Sequence, residues 1–334
     1  MPGADEPLHI GILGAARIAP MALIKPARRN LQAAVVGVAA RDTVRAAAFA
    51  AKHGIERVYA GYDELLADPE IEAVYNPLPN SHHARWTIRA LEAGKHVLCE
   101  KPFSATVAEA EAMAAAATRT RRVLMEAFHY RYHPLFGRLR TIMAGGDRTP
   151  PELGKIEHVE ATFCIPLLRA GDIRWRADLA GGALMDTGCY AVHLLRHLAQ
   201  SEPTVRAARA KWTTGGVDRW MTADLVFPTG VTGRLTCGLL QPKLVSIGAR
   251  VIGSAGQMSV LNFVAPQFFH RLRVRTRDGA RSERVAGSPS YDYQLRAFVA
   301  AVRNGTAVPT GPADAIANMR VIEAIYAAAG KPRA

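Results

Sequence analysis

Six short apolar runs alternate with helical stretches over the first 126 residues, and this alternation constrains the fold more tightly than any composition value. The runs are Leu8–Leu13, Ala33–Ala39, Arg57–Ala60, Ile71–Tyr75, Val97–Cys99 and Val123–Glu126. Apolar strands separated by helices pair in parallel and are covered on both faces, so this part predicts a doubly wound α/β sheet. Gly14-Ala15-Ala16-Arg17-Ile18-Ala19 follows the first run and precedes a helical stretch from Pro20. A glycine turn between strand and helix is where a dinucleotide pyrophosphate meets a helix N-terminus. Ala16 and Ala19 stand where that fingerprint carries its second and third glycines. A methyl at 19 fits between helix and strand, whereas one at 16 stands where phosphate approaches most closely. By itself the motif also reads as a plain strand-to-helix turn.

At 334 residues the chain exceeds what one core usually supports, which predicts two domains, residues 1–128 and 129–334. Its 49% hydrophobic and 21% charged residues are those of an ordinary globular protein. The formal charge of +13 raises nucleic acid, a membrane surface or anionic small molecules as partners. Apart from Arg119-Thr120-Arg121-Arg122 the basic residues are scattered, without an aromatic-interleaved stripe, so nucleic acid is the lesser reading. Cys99, Cys164, Cys189 and Cys237 lie far apart without a C-x-x-C. They are expected to be reduced core residues of a cytoplasmic protein, holding no metal. Met1 to Glu6 lacks the pattern of a signal peptide, and no run of 18 apolar residues occurs, so no membrane partner is expected.

Lys95-His96-Val97-Leu98-Cys99-Glu100-Lys101-Pro102 carries a buried strand straight into a lysine. That place, past the carboxyl end of a strand, is where open α/β sheets bind ligands, and Pro102 stiffens the backbone that aims the ammonium. At the end of the second run stand Ala39-Ala40-Arg41-Asp42. A carboxylate there would hold a ribose 2′-hydroxyl and an arginine a 2′-phosphate; Asp42 reads as a helix N-cap, leaving Arg41 for the phosphate and NADP over NAD. Asn80, in Pro79-Asn80-Ser81-His82-His83, reads as a helix cap, a role compatible with cofactor contact.

From Gly154 the pattern changes to alternating strands, at Gly154 to Phe163, Val205 to Trp212, Met221 to Phe227, Val231 to Gly238 and Ala249 to Ile252. These are expected to be antiparallel, several joined by glycine turns such as Thr229-Gly230 and Ser254-Ala255-Gly256. A loop is expected at Gly145-Gly146-Asp147, and two closing helices at Tyr291 to Arg303 and Ala313 to Ala329. Between the first two strands lie Asp172-Ile173-Arg174-Trp175-Arg176 and Gly181 to His193. On one helix Asp186, Tyr190 and His193 share a face, and an aligned carboxylate, phenol and imidazole can move a proton. Such a face is also common as a capped, solvated helix side.

The segments Ala93 to Phe103, Pro79-Asn80-x-x-His83, His129-Tyr130-Arg131-Tyr132-His133-Pro134 and Gly181 to Tyr190 together resemble the Gfo/Idh/MocA oxidoreductase superfamily over nearly the whole chain. The resemblance implies an N-terminal Rossmann domain plus an α+β domain with a large, mostly antiparallel open sheet, onto whose partner domain the last helices pack back. It implies catalytic roles for Lys101, Asp186 and Tyr190, with Tyr190 matching the dihydrodiol dehydrogenase and glucose-fructose oxidoreductase branches. It places Gly14, Ala16, Arg17, Ile18, Arg41, Pro79, Asn80, His83, Glu100 and Lys101 along NADP. Lys101, His129, Arg131, Trp175, Asp186 and Tyr190 then face the substrate, a sugar, polyol or vicinal diol. A homodimer or a dimer of dimers is implied as well, with Leu225, Leu235 and Val251 expected on the exposed face of the second sheet. The alternative is a non-catalytic NADP-responsive regulator of the same fold.

Overall fold

The computed structural model of the protein describes residues 6–145, 150–240 and 245–330. The turn expected at Gly145-Gly146-Asp147 is described only at Gly145, and Met1 to Asp5 lie outside the described residues. The chain forms two compact units: residues 1–132 with 291–316, and residues 133–290 with 317–334.

The first unit is built on β1 (Leu8–Leu13), β2 (Ala33–Ala39), β3 (Arg57–Tyr59), β4 (Ala73–Asn76), β5 (His96–Cys99) and β6 (Leu124–Glu126). All pair in parallel in the order β3-β2-β1-β4-β5-β6. The order reverses between β1 and β4, and such a reversal opens a crevice beyond the carboxyl ends of the strands. Ile10, Ile12, Tyr75, Leu98 and Met125 are fully buried, as strands covered on both faces require. One cover is the helix Ser290–Asn304, whose Tyr291, Leu295 and Phe298 recur at helical spacing and pack into the same core as Ile10 and Tyr75. Arg303 anchors that helix to Glu72 at 2.6 Å.

The second unit carries eight strands: β7 (Ile156–Cys164), β8 (Thr204–Trp212), β9 (Asp218–Val226), β10 (Thr232–Gly238), β11 (Ser246–Gly253), β12 (Gly256–Leu261), β13 (Arg271–Thr276) and β14 (Gly279–Glu283). Their order is β14-β13-β12-β11-β7-β10-β9-β8. One pairing departs from the antiparallel expectation: β10 runs parallel to β7. Alternation marks a strand with one wet face but not its neighbour, and the crossover from β7 through the helix Cys189–Ala199 and the β8-β9 hairpin delivers β10 in the same direction.

Register also corrects the expected exposure of Leu225, Leu235 and Val251. Val251, Val159, Gly233 and Leu225 are paired in one cross-strand row. Leu235 and Cys237 continue the same face of β10, and Cys237 packs against Gly188 at the start of the helix Cys189–Ala199. All three are therefore on the helix-covered face, each 1% exposed or less. The opposite face is polar, with Asp224, Arg234, Glu160, Arg250, Ser259 and Arg273 in successive register. Opposite charges directly across strands favour this register, although exposed pairs such as Arg234–Asp224 at 2.7 Å contribute little. All four cysteines are free and buried, and burial pushes the thiols of Cys99 and Cys237 up. Among the described residues no helix is long and apolar enough to cross a membrane.

A 3₁₀ turn spans His129–Tyr132, and a separate helix, Pro134–Ala144, follows. Pro134 excludes helical dihedrals at His133, which is extended and caps the new helix by accepting from the Leu135 amide at 3.1 Å through Nδ1. A nitrogen that accepts must be unprotonated. Burial, reinforced by His270, holds the His133 imidazole at about 4. Because this lies below its unfolded value near ~6.5, the unfolded chain takes up the proton first, and stability present above pH ~6.5 is lost as the pH falls toward ~4. His133→Asn keeps a cap without titrating. It is expected to match the parent's melting temperature at pH 7.5 and to lose less of it at pH 5, as read by calorimetry; identical slopes would refute this role.

Candidate active site

In the first unit the site begins at the end of β1. Gly14 has φ +95°, and its amide donates to the Ala39 carbonyl at 2.6 Å. A Cβ there would press on Leu78 at 3.0 Å, so the turn requires glycine. Ala16 and Ile18 are half-buried, Arg17 is exposed, and Ala19 is fully buried where the chain turns into the helix, so its methyl is accommodated in the core.

At the end of β2, Arg41 is exposed and Asp42 caps the helix Thr43–His53, its carboxylate accepting from the Arg45 amide at 3.0 Å. The cap engages one oxygen of the exposed Asp42 carboxylate. Two residues not singled out from sequence join Arg41. Arg45 donates to the Ala15 carbonyl at 2.9 Å. Tyr62 stands near both arginines; burial raises its phenol while the charges of Arg41 and Arg45 oppose that rise. Tyr62 also meets Trp86 edge-on at 4.6 Å, and Arg85 and Arg89 lie over that indole. The available signal was Arg45 in the first turn of the capped helix, four residues after Arg41.

The turns after β4 and β5 are joined beneath their surface. Asn76, fully buried, donates to the His83 carbonyl and the Thr87 hydroxyl, while its own carbonyl accepts from the Glu100 amide at 3.0 Å. His83 is fully buried too, with Nδ1 2.8 Å from the Pro102 carbonyl and Nε2 2.8 Å from the Leu78 carbonyl. The expected direct contact of His83 with a cofactor is thus corrected. Its ring lies between the two turns and, neutral, donates its one N–H to one of these carbonyls, while Pro79 and Asn80 are half-buried at the surface. Burial pulls the His83 imidazole down to about 4, with the nearby Lys101 charge adding to the effect.

Glu100 is nearly buried and accepts from the Tyr75 hydroxyl at 2.6 Å and from the Lys101 amide at 3.3 Å. Its main chain is therefore held from both sides, and Lys101 emerges half-buried at the strand end. His129 is buried and stacks on Tyr291 at 4.0 Å, whose phenol is raised by burial and then by Glu100. Arg131 is half-buried.

In the second unit Asp186 and Tyr190 do not lie on one uniform helix. Leu184–Gly188 is a π-helical turn, followed by the helix Cys189–Ala199. The wider turn offsets Asp186 from the i to i+4 register assumed for Tyr190. Gly181 and Gly182 govern this start: a Cβ on Gly181 would strike the Arg174 carbonyl, and one on Gly182 (φ +130°) would strike the Asp218 carboxylate. Asp218, 1% exposed, accepts from the Leu184 amide and the Tyr326 hydroxyl, both at 2.7 Å. Arg174 donates from Nε to Asp186 at 2.8 Å and from Nη1 to Asp172 at 3.2 Å. Tyr190 is 5% exposed and lies edge-on to Phe163 at 5.4 Å, His193 is fully buried beside His197, and Trp175 is half-buried.

A family model described as an oxidoreductase family with an NAD-binding Rossmann fold (GFO_IDH_MocA) matches residues 8–128, and the GFO/IDH/MocA C-terminal domain model matches residues 150–259. The chain is 35% identical to an uncharacterised oxidoreductase of Rhizobium meliloti, with 96% of this chain and 97% of the relative covered. It is 35% identical to a D-xylose 1-dehydrogenase (NADP(+)) of Haloferax volcanii, again with 96% and 97% covered. A 3-ketoreductase from Actinomadura kijaniata, solved in complex with NADP and TDP-benzene, superposes with a TM-score of 0.89 at 29% identity, covering 96% of this chain and 98% of that one. These relatives are named oxidoreductase, dehydrogenase and reductase, and none of them supports the regulator alternative.

Proposed function

The chain belongs to the GFO/IDH/MocA oxidoreductase family, and from that premise we propose an NADP-dependent enzyme acting on a secondary alcohol or hemiacetal carbon of a sugar, polyol or vicinal diol. The observation that carries this reading is the layout of one sheet edge. A glycine turn suited to a pyrophosphate ends β1, a cationic cluster suited to a 2′-phosphate ends β2, and a clipped Glu100-Lys101 pair ends β5. NADP held there supplies hydride exchange at nicotinamide C4. Arg41, Arg45 and Tyr62 bind its 2′-phosphate end, Gly14 to Ile18 its pyrophosphate, and Pro79 and Asn80 its ribose side.

Lys101 polarises the reacting oxygen, Tyr190 or Lys101 moves the hydroxyl proton, and Asp186 orients the substrate. His129, Arg131 and Trp175 line the substrate side. Following reduced-nicotinamide absorbance across a panel of aldoses and vicinal diols tests the activity, and silence throughout the panel with bound NADP would sink it.

Cofactor choice follows from the β2 cluster. Charge-assisted hydrogen bonds are worth about 1.5–3 kcal/mol, so Arg41→Ala and Arg45→Ala should each raise the NADP dissociation constant roughly 10- to 100-fold and leave NAD binding nearly unchanged. Titration calorimetry with both cofactors decides, and an Arg41→Ala variant with parental NADP affinity would overturn the assignment.

The same proposal includes a homodimer formed through the open face of the second unit's sheet. Its support is the arginine-rich face itself, beside the exposed Leu261 and Phe269, since arginine and aromatic side chains are enriched in interface cores. Light scattering at micromolar concentration should return at least twice the 36.1 kDa chain mass, and a monomeric mass would contradict it.

For the chemistry, removing Lys101 (to Met) or Tyr190 (to Phe) should each lower turnover roughly 10²–10⁴-fold. The double variant should be little worse than the poorer single, because the two serve one proton transfer. A Lys101→Met enzyme with near-normal kcat on a good substrate would refute the central role of this lysine.

A further inference from the structure

Arg174 stands on the loop after β7, and its guanidinium bridges two carboxylates of unequal burial. Asp172 is 7% exposed at its side chain and Asp186 13%, whereas Arg174 is 40% exposed. The root of the arginine is fixed as well as its tip. Asp172 accepts from the Arg174 amide at 3.2 Å with the same oxygen that receives Nη1, closing an Asx turn around the residue. The Arg174 carbonyl accepts from the Gly182 amide at 3.0 Å, an approach possible only because Gly181 carries no side chain. Three attachments therefore hold Arg174 before its Nε reaches Asp186.

The main chain of Asp186 is fixed at its amide, which donates to the Gly182 carbonyl at 2.9 Å, but that bond does not set the direction of the carboxylate. Asp186 sits in the middle of the π-helical turn Leu184–Gly188, where the helix is widened and the usual packing of one turn on the next is relaxed. An aspartate has two soft side-chain torsions, and one fixed carboxylate oxygen arrests both. From this geometry we propose that Arg174 is the positioning residue for Asp186, fixing the direction in which that carboxylate meets the substrate. The idea rests on the role of Asp186 given above and extends it to a residue outside the family resemblance. The charge of Asp186 is also the main reason the Arg174 guanidinium binds its proton more tightly than usual, consistent with a close ion pair.

A purely structural clip predicts something different. Such a residue, when removed, lowers stability and lowers activity equally whether or not Asp186 is present. A residue acting through Asp186 loses its effect once Asp186 is changed. Lysine keeps the charge but cannot fork to two carboxylates from one planar group, so Arg174→Lys should recover only part of the function.

The test combines a structure with kinetics. Crystal structures of the NADP-bound parent, Arg174→Ala and Arg174→Gln should show the Asp186 carboxylate leaving its parental rotamer in both variants, and an unmoved carboxylate overturns the proposal. In steady-state assays Arg174→Ala should lower kcat about 10- to 100-fold, the scale of one charge-assisted hydrogen bond, with the KM for NADP unchanged. Arg174→Lys should fall between it and the parent. In an Asp186→Asn background, Arg174→Ala should cost less than about 3-fold further, and losses that multiply would overturn the proposal. If Arg174→Ala does not fold, Arg174→Gln carries both measurements. Failure of the parent to turn over any substrate would count against the proposed function, whereas the rotamer of Asp186 decides the role of Arg174 in either case.

Discussion

The buried imidazole of His83 lies 2.8 Å from the main-chain carbonyls of both Leu78 and Pro102; neutral, it donates its single N–H to one of them, and much of the first unit's site depends on that contact. The Glu100 amide on the Asn76 carbonyl and the Tyr75 hydroxyl on the Glu100 carboxylate tie the same two strand ends. Loops at strand ends are otherwise the softest part of a parallel sheet. Here each carries a polar group from the next: Asn76 under one turn, Glu100 under the other, and Tyr75 holding Glu100 from within β4. The consequence is a lysine whose backbone is fixed although its side chain is half-open, which suits a group that must meet a substrate repeatedly in one geometry.

The second unit solves the same problem with a different group. Asp218, a buried carboxylate on β9, takes the place of a helix cap for the π-helical turn by accepting the Leu184 amide, and Tyr326 satisfies its other oxygen. A buried carboxylate is costly unless its hydrogen bonds are complete, and both oxygens of Asp218 have donors here. Gly182 is small because Asp218 must come close, and Gly181 is small because Arg174 must. The paired glycines read from sequence as part of a motif are thus explained by two separate steric demands.

How far such features can be read in advance depends on whether the interactions are local. The Gly14 turn and the Asp42 cap depend on neighbours within a few residues, and the parallel sheet of the first unit follows from strand–helix alternation repeated along the chain; all were legible. So were the hairpin turns at Gly230 and at Ser254 to Gly256. The direction of β10 and the burial of Leu225, Leu235 and Val251 depend on which strands become neighbours, which alternation alone does not encode. Strands β12 to β14 were missed, although Arg271-Leu272-Arg273-Val274-Arg275 alternates cleanly. The roles of Arg45, Tyr62 and Arg174 were hidden for a different reason. Each acts on a residue distant in sequence or across a loop whose path is set by glycines, and a basic residue on a loop is ordinarily just solvated.

The excess of positive charge is better understood by location than by sum. Arg41 and Arg45 stand at the end of β2, near enough to Tyr62 for both charges to act on its phenol. Arg174 is balanced by two carboxylates and contributes direction, not net field. Arg234 and Arg250 lie in a ladder with Asp224 and Glu160, where opposite charges alternate across the strands. A nucleic-acid surface requires unbalanced cations repeating along one groove, since it is phosphate neutralisation that produces the binding. Among the described residues β13, with Arg271, Arg273 and Arg275 in succession, comes nearest to that condition, and its row meets Ser259 before Arg250. The charge distribution therefore favours small anionic groups, met a few at a time at strand ends, over a polyanion laid across a surface.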